Sequence, residues 1–394
     1  MTIQPAYDRA AAAPEAIPTA EPFLAASQAV LLGDESVCRP GWVEWRGPRI
    51  TASGHGPAPR QPDWTADHCL APGFVDTHCH GGGGASYTAA DPAQAAVALG
   101  AHRRRGTTTQ IASLVSASLP DLMDQIAALR PLVAAGELAG LHLEGPWLAP
   151  SRKGAHDPAL LACPTPEAVT AVLSQADVVR MVTVAPELPG ALTAISRLAA
   201  QGVVAAVGHT EADWAVANQA VAAGARGATH LFNAMPPLLH RAPGPVLALL
   251  ASPSVSCEII FDTHHIQPAL ASAVLRLLGP RGVLVTDAMA AAGLGDGSYS
   301  LGGLPVVVEA GVARLAGQTT IAGSTITLAD AVFNAVAAGL PLPCALAAAS
   351  RNGADYLSLP DVGRLRPGAW ADLVEVTADG TVTRAVRRGA WVHG

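Results

Sequence analysis

The chain has 394 residues, half of them hydrophobic and 14% charged, with a formal net charge of -7. That composition supplies a large core and excludes an intrinsically disordered chain. The basic residues are scattered, which excludes the clustered patch that a nucleic acid or an anionic membrane surface requires. The length suits one large domain and one small one.

The exception to the scatter is Arg103-Arg104-Arg105, at the end of a predicted helix, where cations meet the negative end of the helix dipole and solvent. The six cysteines (Cys38, Cys69, Cys79, Cys163, Cys257 and Cys344) are widely spaced without a CxxC pair, which predicts reduced thiols in a cytoplasmic protein. Residues 1–20 are rich in Ala and Pro but lack a basic start followed by an apolar core, so a frayed tail rather than a signal peptide is expected. No apolar run is long enough to span a bilayer.

Residues 21–70 read as short strands, clearest at 29–32 and 41–45, and two similar strands, 371–376 and 381–386, flank the turn Ala378-Asp379-Gly380. Strands at both ends predict a small β-sandwich built from 21–70 together with 358–394, with 71–357 inserted between them. That insert alternates. Candidate strands lie at 72–77, 107–112, 139–144, 180–185, 203–208, 227–230, 255–261 and 282–287. Ala-rich helical stretches lie at 92–104, 118–135, 165–177, 190–201, 211–223 and 267–278. Alternation of this kind means parallel βαβ units, and eight of them over this length predict a (β/α)8 barrel. An open doubly wound sheet is the competing arrangement. Against it, the Gly81–Gly84 run lacks the GxGxxG spacing and reads as a flexible turn.

In a barrel of this type the active-site groups come from the carboxyl ends of the strands. Here those ends carry the ionisable residues. His78-Cys79-His80 ends the first strand, and residues two apart on a strand face the same side. Leu141-His142-Leu143-Glu144-Gly145-Pro146 brings an apolar strand to a stop on a carboxylate, which is costly to bury unless it holds a cation. His209, His230 and Asp287 end the fifth, sixth and eighth strands. Imidazole and carboxylate ligands suit zinc, iron or manganese. Glu144, His78, His80, His209 and His230 are therefore candidate ligands. Asp287 is a candidate general base for a water that such an ion acidifies.

These segments resemble the amidohydrolase superfamily and, within it, the N-acetylglucosamine-6-phosphate deacetylases. The likeness is carried by residues 72–81, His142-Leu143-Glu144-Gly145-Pro146, Gly208-His209-Thr210 and Thr229-His230-Leu231-Phe232-Asn233-Ala234-Met235-Pro236. Residues 285–293 and 322–328 also match. The resemblance implies a barrel with a flanking β-sandwich, usually in a homodimer. It implies one ion held by Glu144, His209 and His230 and, as in some members, a second at His78 and His80 with Glu144 as bridge, so one or two per subunit, and Asp287 as the catalytic Asp. His156 matches a His that polarises the acetyl carbonyl or steadies its oxyanion. Asn233 and the backbone of Ala234 match phosphate contacts, Arg241 an Arg that reaches the phosphate in the neighbouring subunit, and His265 a substrate-binding His. Thr263 departs from the family, which has Gly there, so the shape of the pocket near it is expected to differ.

The implied reaction is hydrolysis of the acetyl group of N-acetylglucosamine 6-phosphate, with the galactosamine epimer as the near alternative. Cyclic-amide hydrolysis, which commonly uses a carboxylated Lys at the end of strand four, is disfavoured because that strand ends Val184-Ala185-Pro186-Glu187. A barrel kept only for binding or assembly would have lost a ligand or the base, and all are in place.

Overall fold

The computed structural model describes residues 21–33 and 36–392, so the expected tail over 1–20 lies outside the described residues. Eight parallel strands form one sheet in sequence order. They are β1 (Phe74–Asp76), β2 (Thr107–Val115), β3 (Gly140–Glu144), β4 (Val179–Val184), β5 (Val204–Val207), β6 (Gly227–Ala228), β7 (Ser256–Ile260) and β8 (Gly282–Val285). Nearly every residue in them is buried, as expected of parallel strands covered on both faces.

The seam between β8 and β1 is closed by a side chain. The buried Asp76 carboxylate accepts from Thr286 Oγ1 at 2.7 Å and from the Thr286 backbone N–H at 3.3 Å. Just beyond, Asp287 N–H donates to the His78 carbonyl at 2.8 Å. Closure thus carries the first and last strand ends, with His78 and Asp287 on them, to the same spot.

A helix follows each strand, which makes the predicted (β/α)8 barrel. Six match the helical stretches expected from the sequence to within a few residues, and their starts are marked in the sequence. Asp91, Ser118 and Thr165 each cap a helix through the side chain, with Pro in the first turn. The other two helices, Gly244–Ala251 and Leu328–Ala337, are absent from the sequence reading. Gly244–Ala251 is apolar all round and buried on most sides, so it shows no period. Leu328–Ala337 is separated from β8 by an insertion. That insertion is a three-stranded antiparallel sheet, Gly297–Leu301, Leu304–Glu309 and Val312–Leu315, also unanticipated. Leu301, Val306 and Leu315 pack with Met289, Ala291 and Val115, which fixes it over the carboxyl ends of the strands.

The termini meet in two further sheets. A four-stranded sheet orders Arg49–His55, Gly41–Arg46, Phe23–Ser27 and Trp64–Ala66. A six-stranded one runs Ala390–Trp391, Val382–Arg387, Leu373–Val376, Cys69–Pro72, Val30–Leu31 and Val37–Cys38, mixing both ends of the chain. Trp45, Ile50, Leu70, Leu373 and Val386 fill the space between them, giving the small β-sandwich. The basic run is less solvated than expected: Arg103 pairs with Glu137 at 2.6 Å. Among the described residues no helix is long and apolar enough to cross a membrane, and all six cysteines are free thiols.

The amino-terminal mouth of the barrel is plugged by the helix Arg351–Tyr356. Asn352 Nδ2 donates to the carbonyls of Gly282, at the start of β8, and Gly279 at 2.7 and 3.2 Å. Tyr356 enters beneath Met181, and its hydroxyl takes the space that a side chain on Gly227 would need. A Cβ there would lie 2.0 Å from Tyr356 Oη and 2.8 Å from Ala206 Cβ. Gly227→Ala is therefore expected to lower the unfolding free energy by about 1–3 kcal/mol through overpacking. Adding Tyr356→Phe should recover part of that loss; urea denaturation of the single and double variants measures both.

Candidate active site

Three of the site residues leave their strands in the same way. His209, His230 and Asp287 each lie two residues past the last paired residue of β5, β6 and β8. All three have left-handed backbones, with φ of 47°, 28° and 49°. This conformation costs a non-glycine residue about 1–3 kcal/mol and persists only where the surroundings enforce it. It turns each side chain back over the mouth of the barrel. His78 and His80 follow β1, and Glu144 is the last residue of β3.

These side chains converge on Glu144, which is 3% exposed. Its Oε1 lies 3.0 Å from His230 Nε2, 3.2 Å from His209 Nε2 and 3.5 Å from His78 Nε2. Its Oε2 lies 3.2 Å from His80 Nε2 and 3.4 Å from His156 Nε2. Asp287 Oδ1 reaches His78 and His80 at 3.4 and 3.2 Å. Two overlapping groups with metal-ligand geometry result, His78-His80-Glu144-Asp287 and Glu144-His209-His230, and Glu144 belongs to both.

The outer nitrogens of the rings assign their tautomers. His80 Nδ1 donates to the Ser113 carbonyl at 3.1 Å, His209 Nδ1 to the Arg152 carbonyl at 2.7 Å and His78 Nδ1 to Glu258 at 3.0 Å. Each therefore turns Nε2 inward, where it holds either a proton or, once that proton is displaced, a metal ion. His156 is the opposite case. Its Nδ1 accepts from the Ser116 backbone N–H at 3.3 Å and lies 2.9 Å from Ser116 Oγ, so its Nε2 carries the hydrogen and offers a donor to the site.

The electrostatics agree with a cation. Burial alone would lower the proton affinity of His78 and His80, but the carboxylates overcome it. Glu144, Asp287 and Glu258 hold His78 well above its ordinary value, and Asp287 and Glu144 push His80 up to about 9. Burial opposes ionisation of Glu144 and Asp287 too, yet the neighbouring imidazoles hold both well below the usual carboxylate range. Burial wins at His156, which falls to about 4 and is neutral near pH 7. Two buried carboxylates facing inward-turned imidazole nitrogens suit one or two divalent ions, and Glu144, His209 and His230 with His78, His80 and Asp287 are the donors that would hold them.

The other anticipated residues are spread around a cleft of about 380 Å³ above this cluster. Asn233, Ala234 and His265 line it, with Arg152, His156, Leu301 and Ile321 opposite. Asn233 Nδ2 donates to the His230 and Leu231 carbonyls at 3.1 and 3.4 Å. His265 is held by Asp262, whose Oδ2 accepts from its Nδ1 at 2.7 Å, while Asp262 Oδ1 accepts from the backbone of His264 and His265. Arg241 does not line the cleft of its own chain. It is exposed in the turn closed by hydrogen bonds between Leu239 and Ala242, beside the exposed Leu238 and Leu239. A smaller, mostly apolar cavity of about 170 Å³ between Leu122, Trp147 and Val172 lies behind β3 and holds none of the ionisable groups of the site.

Sequence reasoning missed Glu258, Ser116 and the carbonyls of Ser113 and Arg152. Glu258 had a signal: it is the one charged residue in the otherwise apolar run of β7. The other three act through positions brought near by the fold and leave no sequence trace.

Residues 69–392 match the amidohydrolase family. The chain belongs to that family. It is 34% identical over 332 residues, 82% of each chain, to an N-acetylglucosamine-6-phosphate deacetylase of Vibrio furnissii. It is 37% identical over 317 residues, 77% of this chain and 82% of the relative, to an N-acetylgalactosamine-6-phosphate deacetylase of Escherichia coli O157:H7. Among solved structures, a mutant of the N-acetyl-D-glucosamine-6-phosphate deacetylase of Mycobacterium smegmatis, in complex with N-acetyl-D-glucosamine-6-phosphate, superposes with a TM-score of 0.91 at 46% identity. That match covers 95% of this chain and 100% of the other.

Thr263, where the resemblance led to an expectation of Gly, has a left-handed backbone with φ of 70°. A β-branched residue there bears the strain of that conformation. Thr263→Gly is expected to raise stability by about 1 kcal/mol, read as a higher urea midpoint with an unchanged slope.

Proposed function

We propose that this amidohydrolase is a deacetylase of N-acetylglucosamine 6-phosphate, releasing acetate and glucosamine 6-phosphate in amino-sugar catabolism. The observation that carries the reading is the pairing of opposite chemistries around Glu144. A neutral His156 offers an N–H on one side, and an ionised Asp287 stands on the other, beside His78 and His80. Amide hydrolysis needs both a donor for the carbonyl oxygen and a base for the water. The relatives and the solved structure named above support the choice of substrate.

A divalent zinc, iron or manganese ion, when bound by Glu144, His209 and His230 or by His78, His80, Glu144 and Asp287, supplies Lewis-acid polarisation and acidifies water. The chain's own groups do the rest. Asp287 takes the proton of the attacking water and returns it to the leaving amine. His156 Nε2–H steadies the oxygen that becomes negative as the carbonyl carbon turns tetrahedral. A low proton affinity keeps that donor neutral, so the site gains a hydrogen bond without a further buried charge.

We place the sugar phosphate along the wall formed by Asn233, the backbone of Ala234 and His265. Asn233 would exchange its longer bond, to the Leu231 carbonyl, for a phosphate oxygen. The exposure of Arg241 and its distance from the cleft of its own chain support a homodimer in which the partner subunit's Arg241 closes on the phosphate, where a guanidinium fork suits a dianion. Free thiols support a cytoplasmic setting.

Acetate release from N-acetylglucosamine and N-acetylgalactosamine, each with and without the 6-phosphate, tests the substrate. Turnover of the glucosamine 6-phosphate derivative is expected to exceed the others, and a preference for the galactosamine epimer or for unphosphorylated sugars would overturn the reading. Asp287→Asn should lower kcat by on the order of 10²- to 10⁴-fold, the usual share of a general acid–base, while substrate still binds by calorimetry. Arg241→Ala should raise KM for the phosphorylated sugar at least about ten-fold, the loss of a charge-assisted bond, and leave the unphosphorylated sugar almost unaffected.

A further inference from the structure

Glu258 lies in the middle of β7, fully buried, and faces into the barrel beneath the ionisable cluster. A carboxylate in that position is costly unless it is held. Its Oε2 accepts from His78 Nδ1 at 3.0 Å and from the His230 backbone N–H at 3.3 Å. Its Oε1 has no hydrogen-bond partner among the described residues. The carbonyl of the same residue accepts from Leu231 N–H at 2.9 Å, so one position on β7 ties down both His78 and the strained turn at His230.

The four candidate imidazole ligands are not supported alike. His80 and His209 donate to neutral carbonyls, and His230 Nδ1 is buried without a partner among the described residues. Of these four, His78 donates to a carboxylate. A carboxylate behind an imidazole fixes its tautomer and makes the opposite nitrogen a better electron donor than a carbonyl does. That nitrogen, His78 Nε2, faces His80, Asp287 and Glu144. It belongs to the His78-His80-Glu144-Asp287 group and not to the Glu144-His209-His230 group.

We infer that Glu258 is a positioning residue that, through the Nδ1 hydrogen bond of His78, sets how tightly the His78-His80-Asp287 side of the site holds its ion. This rests on the reading above that each of the two groups can bind a divalent ion. The stronger hold on one ligand makes the two sites unequal by design of the second layer, with Glu144 as the shared member.

The test is metal content rather than turnover. Wild-type protein and Glu258→Gln are stripped, re-equilibrated at a series of buffered free zinc concentrations and analysed for zinc per subunit. Wild type should reach two ions. Glu258→Gln keeps the shape but not the charge, and should fill the Glu144-His209-His230 site normally while the second ion binds roughly ten- to hundred-fold more weakly. Two ions of unchanged affinity in the variant would overturn the role of Glu258, whereas a wild type that binds no second ion would overturn the two-ion reading beneath it. A readout that needs no variant guards against misfolding: in zinc-loaded wild type labelled with 15N-histidine, His78 should appear as the Nδ1–H tautomer. Its ring proton should lie further downfield than those of His80 and His209. A His78 ring proton indistinguishable from theirs would count against a carboxylate partner.

Discussion

The site depends on the burial of one carboxylate. Glu144 ends an apolar strand at 3% exposure, with imidazoles from three other strand ends and one loop within 3.5 Å of its oxygens. Taken out of water alone, such a charge would cost several kcal/mol. The fold answers that cost by surrounding it with groups that either donate to it or share a cation with it. Removing Glu144 would leave the inward nitrogens of His78, His80, His209 and His230 facing one another without the carboxylate they share.

Bringing those groups together consumes backbone energy elsewhere. His209, His230 and Asp287 occupy the left-handed region in which non-glycine residues are rare, and Thr263 on the cleft wall does too. Strain of this sort gathers where surrounding packing over-determines the backbone. Here the restraints are visible: Asp287 N–H is fixed by the His78 carbonyl, the His230 N–H by Glu258, and the His209 ring by the Arg152 carbonyl. The barrel seam contributes as well. Because Asp76 locks Thr286, closure of the sheet and placement of Asp287 against the first pair of imidazoles are one event.

Much of this was legible in the residues. Alternation of apolar runs with Ala-rich helices set the barrel, and the stretches expected from 92 and 165 begin within a residue of the helices Pro92–Arg103 and Pro166–Leu173. Where the reading fell short, a local signal was missing or misleading. The helix Gly244–Ala251 is apolar on every face and shows no period. The sheet over 297–315 packs on Met289 and Val115, contacts that no local pattern announces. Arg103 looked like a solvated helix end and instead meets Glu137, a neighbour that only the folded chain supplies.

The sequence by itself determined the chemical inventory and the order in which it arrives: carboxylates and imidazoles at successive strand ends, a Gly-Pro pair that stops the strand at Glu144, and motifs specific enough to indicate a family. These are local properties, fixed by period, propensity and spacing within a few residues. Only the tertiary structure decided which nitrogen of each ring faces inward, that Nδ1 accepts in His156 but donates in His78, His80 and His209, and that Glu258 stands behind His78 across 180 residues of chain. Hydrogen-bond direction depends on atoms that approach within about 3 Å from distant segments, and no pattern along the chain encodes that approach until the barrel has closed.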